Sequence, residues 1–155
     1  MEESVSKVPR KDSNGLLNLI RSAFPQKEVD IRTYSPLTLA YIGDAIYDLI
    51  IRTVVVAGAN RPANELHRIT VRYVSAPAQA RIIEALMETL TEEEQSVYRR
   101  GKNSKPHTTA KNADPADYMK ATGFEAVLGY LYLKDDMERA LELVKTGIRL
   151  AGLTI

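Results

Sequence analysis

Not one of the 155 residues is a cysteine. That excludes a disulfide framework and any thiolate-bound metal, and it suits a reducing compartment. Histidine is almost as scarce, with only His67 and His107, so an imidazole-built zinc site is not expected. Any catalytic metal would then be a hard cation held by carboxylates. No run approaches the ~20 uninterrupted apolar residues that a membrane span requires. The opening residues, MEESVSKVPRKDSNG, carry charges with no apolar run behind them, which is not the pattern of a secretory signal. The expected setting is cytoplasmic. Net charge is lacking as well: 21 basic against 20 acidic residues leave +1. The total therefore says nothing about nucleic acid, and only the placement of the charges can.

At 45% hydrophobic and 26% charged, the composition is that of an ordinary globular chain. Its length fits one domain with a sizeable core. Residues 1 to about 15 read as a polar arm, and Leu16 to Ala23 as a short amphipathic helix closed by Pro25. Together they make an N-terminal arm over residues 1–30, ahead of a domain over 31–155. A loop leads to Pro36. Thr38 to Ala57 is apolar on nearly every side, as in a central buried helix, and Gly58 ends it. Pro62 opens the next helix, to about Tyr73. Ser75 caps another, to about Leu90, and Thr91 with Glu94 forms a capping box for one ending near Gly101. Asp114 and Pro115 start a second strongly apolar helix, to about Leu133. Asp135 or Asp136 caps a last one, to about Leu150. Neither hairpin signals nor internal repeats are evident, so the expected fold class is all-α.

Two acids stand out against this pattern. Asp44 lies inside TLAYIGDAIYDLIIRTVVVA, between apolar neighbours, and Glu125 lies inside YMKATGFEAVLGYLYL. A buried carboxylate needs a cation, a set of donors or a proton. If the two helices meet, the acids can share Mg²⁺, which accepts one or two carboxylates and keeps its other positions for water and phosphate. The plainer alternative is partial exposure, or pairing with a lysine or arginine. Asp48 sits one turn beyond Asp44 at the edge of the face, where solvation suffices. Gly43, Gly123 and Gly129 flank the acids, and glycine within a helix costs about 0.5–1 kcal/mol relative to alanine. Each glycine marks close approach of another helix or of a ligand.

Between the two apolar helices runs RRGKNSKPHTTAKN, from Arg99 to Asn112, with no acid before Asp114. Point charges interleaved with hydroxyl and amide donors suit a phosphate backbone. The absence of aromatics favours duplex over single-strand recognition. A solvated surface loop is the alternative.

These residues resemble the ribonuclease III family. Its signature pairs a helix ending Phe-Leu-Gly-Asp with a later one reading Glu-Ala-Leu-Ile-Gly, and Tyr41-Ile42-Gly43-Asp44 and Glu125-Ala126-Val127-Leu128-Gly129 are similar to these. The wider strings LAYIGDAIYD, RRGKNSK, FEAVLGYLYL, Val74-Ser75-Ala76 and the Thr108–Asn112 pattern resemble its compact Mini-ribonuclease III subgroup, over roughly residues 35–150. Full-length members carry two more glutamates on the first helix and an aspartate on the second, where this chain has Ala40, Leu37 and Thr122. The subgroup shares these simplifications, and they leave the number of metal ions open.

The resemblance implies a helical, Mg²⁺-dependent endoribonuclease that cuts double-stranded RNA as a homodimer, leaving 5′-phosphate and 3′-hydroxyl ends. Asp44 and Glu125 are its implied catalytic metal ligands, with Thr122 either positioning a water or packing the helix. Arg100, Lys102, Asn103, Lys105, Thr108 and Lys111 are the expected RNA contacts, with Arg68, Arg72 and Arg81 in reserve. The implied substrate is a precursor of large-subunit (23S) ribosomal RNA, in a bacterium or a plastid stroma, with a ribosomal protein as a further partner. The rival readings are a catalytically silent RNA-binding or ribosome-associated domain of the same fold and a helical protein-interaction module.

Overall fold

The structure, a computed structural model, describes residues 15–104 and 114–155. Among these described residues there are seven α-helices, one 3-10 turn and no strand, so the fold is all-α as expected. The helices are α1 (Leu16–Ala23), α2 (Pro36–Gly58), α3 (Ala63–Val74), α4 (Ala76–Leu86), α5 (Glu92–Lys102), α6 (Pro115–Leu133) and α7 (Met137–Leu150).

Local chemistry explains most of the boundaries. Ser35 caps α2 by accepting from the Thr38 amide, with Pro36 in the first turn. Ser75 is the single residue between α3 and α4, and its hydroxyl accepts from the Ala78 amide. Thr91 and Glu94 form the reciprocal capping box of α5. Asp114 accepts from the Ala116 amide at the start of α6. Asp136, not Asp135, caps α7. Asp135 instead takes the left-handed conformation at the end of α6, φ 64°, and Asn18 of α1 donates to its carboxylate at 3.2 Å. Two boundaries differ from expectation. The loop before Pro36 contains a 3-10 turn, Ile31–Thr33, capped by the Asp30 side chain. The helix expected to reach Leu90 ends at Leu86, and its last residues form a turn ahead of the capping box.

The larger correction concerns which helix is central. α6 holds that place, with α2, α4, α5 and α7 packed around it, and nearly every residue from Ala121 to Tyr132 is buried. α2, expected to be central and largely buried, is buried on one side only. Leu39, Ala40, Gly43, Tyr47 and Ile51 face α6 and the core, whereas Tyr41, Leu49 and Val56 are 81%, 50% and 55% exposed. Sequence periodicity cannot separate an apolar face covered by the chain's own core from one left for another surface.

α2 and α6 approach closely enough to exclude side chains where they cross. A Cβ on Gly43 would collide with the carbonyl oxygen of Glu125, and one on Gly129 with the carbonyl oxygen of Leu39. Of the two readings of these glycines, helix–helix approach is the one the structure bears out.

Candidate active site

The glycine crossing decides where the two acids go. Asp44 follows Gly43 on α2, and Glu125 lies one turn before Gly129 on α6, so their carboxyl groups meet within hydrogen-bonding reach. Asp44 is exposed and Glu125 only partly so. Of the two readings of Asp44, burial among apolar neighbours and exposure, the structure shows exposure: it stands where α2 turns its outer face to solvent, with Gly43 behind it against α6. Burial, then the charge of Asp44, pushes the Glu125 carboxyl up to about 8, and a hydrogen bond with Asp44 adds to the rise while donation from Gln79 opposes it. Among the described residues no lysine or arginine forms an ion pair with either acid. The pair is therefore short of positive charge and set to accept a cation.

The donor set fits a hard divalent ion. No cluster of three or more acidic, histidine or cysteine ligands exists among the described residues, so two carboxylates would leave most of a six-coordinate sphere to water and phosphate, as Mg²⁺ prefers. Asp48, one turn on, binds Arg52 at 2.9 Å in a surface pair. Thr122 is buried and its hydroxyl donates to the Tyr118 carbonyl at 3.0 Å. That bond lies within its own helix.

Sequence reasoning missed Gln79. This α4 side chain is 3% exposed, and its amide nitrogen donates to Glu125 Oε2 at 3.2 Å and to the Val74 carbonyl at 2.9 Å. A signal was available. Gln79 precedes Ile82, Ile83 and Leu86 by three, four and seven residues on a helix whose buried face they form, so a lone amide was due in the core. Tyr47, also buried, donates to the Tyr73 carbonyl at 2.6 Å and packs edge-on against Phe124, ring centroids 5.3 Å apart.

The basic segment divides. Arg100 and Lys102 belong to the last turn of α5 rather than to a loop, and Asn103 is the residue that ends the helix. Arg100 and Asn103 are exposed and Lys102 is half-buried. Gly101 holds this turn against the acid-bearing turn of α6: a Cβ there would lie 2.9 Å from the Ala126 Cβ and 3.0 Å from the Gly123 Cα. Lys105, Thr108 and Lys111 lie outside the described residues. Of the reserve arginines, Arg81 donates to the Ala151 carbonyl at 2.8 Å beyond the end of α7, and Arg68 approaches Glu65 at 3.7 Å.

A bundle wrapped around one apolar helix, with two carboxylates meeting at a glycine crossing beside a basic helix end, defines a nuclease-like domain of the ribonuclease III type. The Ribonuclease III domain model matches residues 37–136. A Mini-ribonuclease 3 of Enterococcus faecalis is 47% identical over 127 residues, covering 81% of this chain and 96% of its own. One of Thermoanaerobacter is 47% identical over 119 residues, covering 77% and 84%. A crystal structure of a Fusobacterium nucleatum protein superposes with a TM-score of 0.70 at 31% identity, covering 79% of this chain and 98% of that one. The chain belongs to the Mini-ribonuclease III group of the ribonuclease III family, and its activity is endonucleolytic cleavage of double-stranded RNA. The family depends on divalent metal and typically acts as a dimer.

Proposed function

We propose that Asp44 and Glu125 hold Mg²⁺ and form the catalytic centre for duplex cleavage. The observation that supports this reading is the meeting of two carboxylates at the Gly43–Gly129 crossing with no cationic side chain among the described residues to offset them. Mg²⁺, when bound, supplies the charge that activates a water for in-line attack and offsets charge building on the phosphate oxygens, giving 5′-phosphate and 3′-hydroxyl ends. Glu125, with burial on one side and the Gln79 donor on another, presents a carboxylate of fixed direction. Asp44, on the solvent side, completes the pair where a phosphate can reach it. Arg100, Lys102 and Asn103, with Lys105, Thr108 and Lys111, bind the duplex backbone and position it.

The biological duplex is inferred to lie in a precursor of 23S ribosomal RNA, with a ribosomal protein as an accessory partner, in the cytoplasm. The relatives named above are bacterial, which favours that setting over a plastid. The active form is a homodimer joined through the exposed apolar face of α2, with one centre for each strand.

Asp44→Asn tests the centre. The amide keeps the shape and loses the ligand charge, so the melting temperature should hold while Mg²⁺-dependent cleavage of a long RNA duplex falls to the level seen with chelator. Turnover near that of the wild type would remove Asp44 from the centre. A silent RNA-binding domain would give a gel shift in Ca²⁺ and no cleavage in Mg²⁺ even before substitution.

A further inference from the structure

Gln79 is buried, bonded to one member of the acid pair, and left with an unused acceptor. Its amide orientation is fixed by the surroundings. Both neighbours of the nitrogen, the Val74 carbonyl and Glu125 Oε2, are acceptors, so a flipped amide would face oxygen to oxygen. In the orientation that satisfies them, Gln79 Oε1 is buried without a hydrogen-bond partner among the described residues. Native cores rarely keep such an atom, and a methionine or leucine of similar size would avoid it. The amide is therefore poorly explained by stability and is aimed at Glu125.

Its other bond gives it leverage. α3 and α4 meet at the single residue Ser75, and the carbonyls just before that corner find partners outside the helix. Tyr47 of α2 donates to the Tyr73 carbonyl, and Gln79 takes the next one, on Val74. One amide nitrogen thus ties the Glu125 carboxylate to a rigid corner of the backbone, with both of its hydrogens used.

We propose that Gln79 is the positioning residue of the metal centre, holding Glu125 Oε2 so that the carboxylate is presented to the cation in one orientation. This rests on the reading of Glu125 as a metal ligand. Partners that orient a ligating side chain commonly govern metal affinity by about 10–100-fold, and a carboxylate freed from Gln79 has to be ordered by the ion itself.

The test is Gln79→Met, with Gln79→Leu as a second variant, read by calorimetric titration with Mn²⁺ and by the Mg²⁺ dependence of cleavage. Each variant removes an unpaired acceptor while freeing the Val74 carbonyl and Glu125 Oε2, which faces the partly open acid pair, so the melting temperature should stay within about 4 °C of wild type. Mn²⁺ affinity should fall by about 10–100-fold, with cleavage largely recovered at high Mg²⁺. Glu125→Gln is measured alongside. If Glu125→Gln binds Mn²⁺ as wild type does, the ligand assignment fails. If Glu125→Gln loses binding while the Gln79 variants retain it, the positioning role alone is overturned. Should neither Gln79 variant fold, the wild-type protein still decides. The Gln79 side-chain amide resonances should shift on titration with Mg²⁺, and their indifference to Mg²⁺ would reject the role.

Discussion

Single side chains in this protein are explained by what offsets them. Asp48 has Arg52 and so remains a surface pair, worth at most about 1 kcal/mol. Asp44 and Glu125 have each other, and a pair whose joint ionisation is disfavoured is relieved by a cation. The basic residues at the end of α5 face the opposite situation, since Arg100 is exposed and has no acid paired with it among the described residues. Replacing Arg100 or Lys102 with alanine should weaken duplex binding alike for all sequences. It should also reduce the slope of log affinity against log salt by about 0.9 for each phosphate no longer neutralised. Cleavage at saturating RNA should change far less than in Asp44→Asn. A Lys102/Lys105 double alanine variant with unchanged affinity and salt slope would make this segment plain solvated surface.

At the scale of elements, α2 and α6 are held at the distance that glycine permits. Gly43→Ala places a methyl against the Glu125 carbonyl, so the helices must separate or the backbone must bend. The expected cost is about 3 kcal/mol or more, and cleavage should fall with it because the acid pair opens. Thermal melting and a cleavage assay on the same sample check both. A second joint lies across α5 and α7. Arg139 binds Glu94 through two nitrogens, at 2.8 and 2.9 Å, and also bonds the Thr89 carbonyl and Glu142. Burial alone would raise the Glu94 carboxyl, but the Arg139 donors and the Thr91 amide overcome it and hold it below its ordinary 4.5. A depressed carboxyl stabilises the fold above its unfolded pKa, and that stability is lost as pH falls through the folded value. Glu94→Gln should therefore cost about 3 kcal/mol near neutral pH, since Arg139 loses its buried partner. The gap in melting temperature between variant and wild type should shrink as the pH drops below about 4.5, and a constant gap would rule this account out.

At the scale of the whole molecule, the outer face of α2 is a conspicuous uncovered surface. Tyr41, Leu49 and Val56 line the outer side of α2 beside Asp44, and a second copy related by a two-fold axis is the proposed cover. Sedimentation should show a species of twice the 17.3 kDa chain mass, and Leu49→Lys should shift it to the single-chain mass. A wild-type monomer at micromolar concentration would overturn the proposed dimer. A Leu49→Lys variant that stays dimeric would place the interface elsewhere.

Helix identity was legible in the sequence wherever the signal is local. The caps at Ser75, Thr91 and Asp114 act through hydrogen bonds within one turn, so neighbouring residues determine them. The two lone acids were legible as well, because a charge in an apolar run stands out without any structure. Tertiary packing alone decided the rest. It made α6 the centre and left α2 half-exposed, a distinction invisible to periodicity because both helices are apolar on most sides. It placed Asp44 in solvent and Glu125 against the core, since burial depends on what lies across a helix and not along it. It brought Gln79 to Glu125 across 46 positions of sequence, a juxtaposition set by how α4 packs on α6.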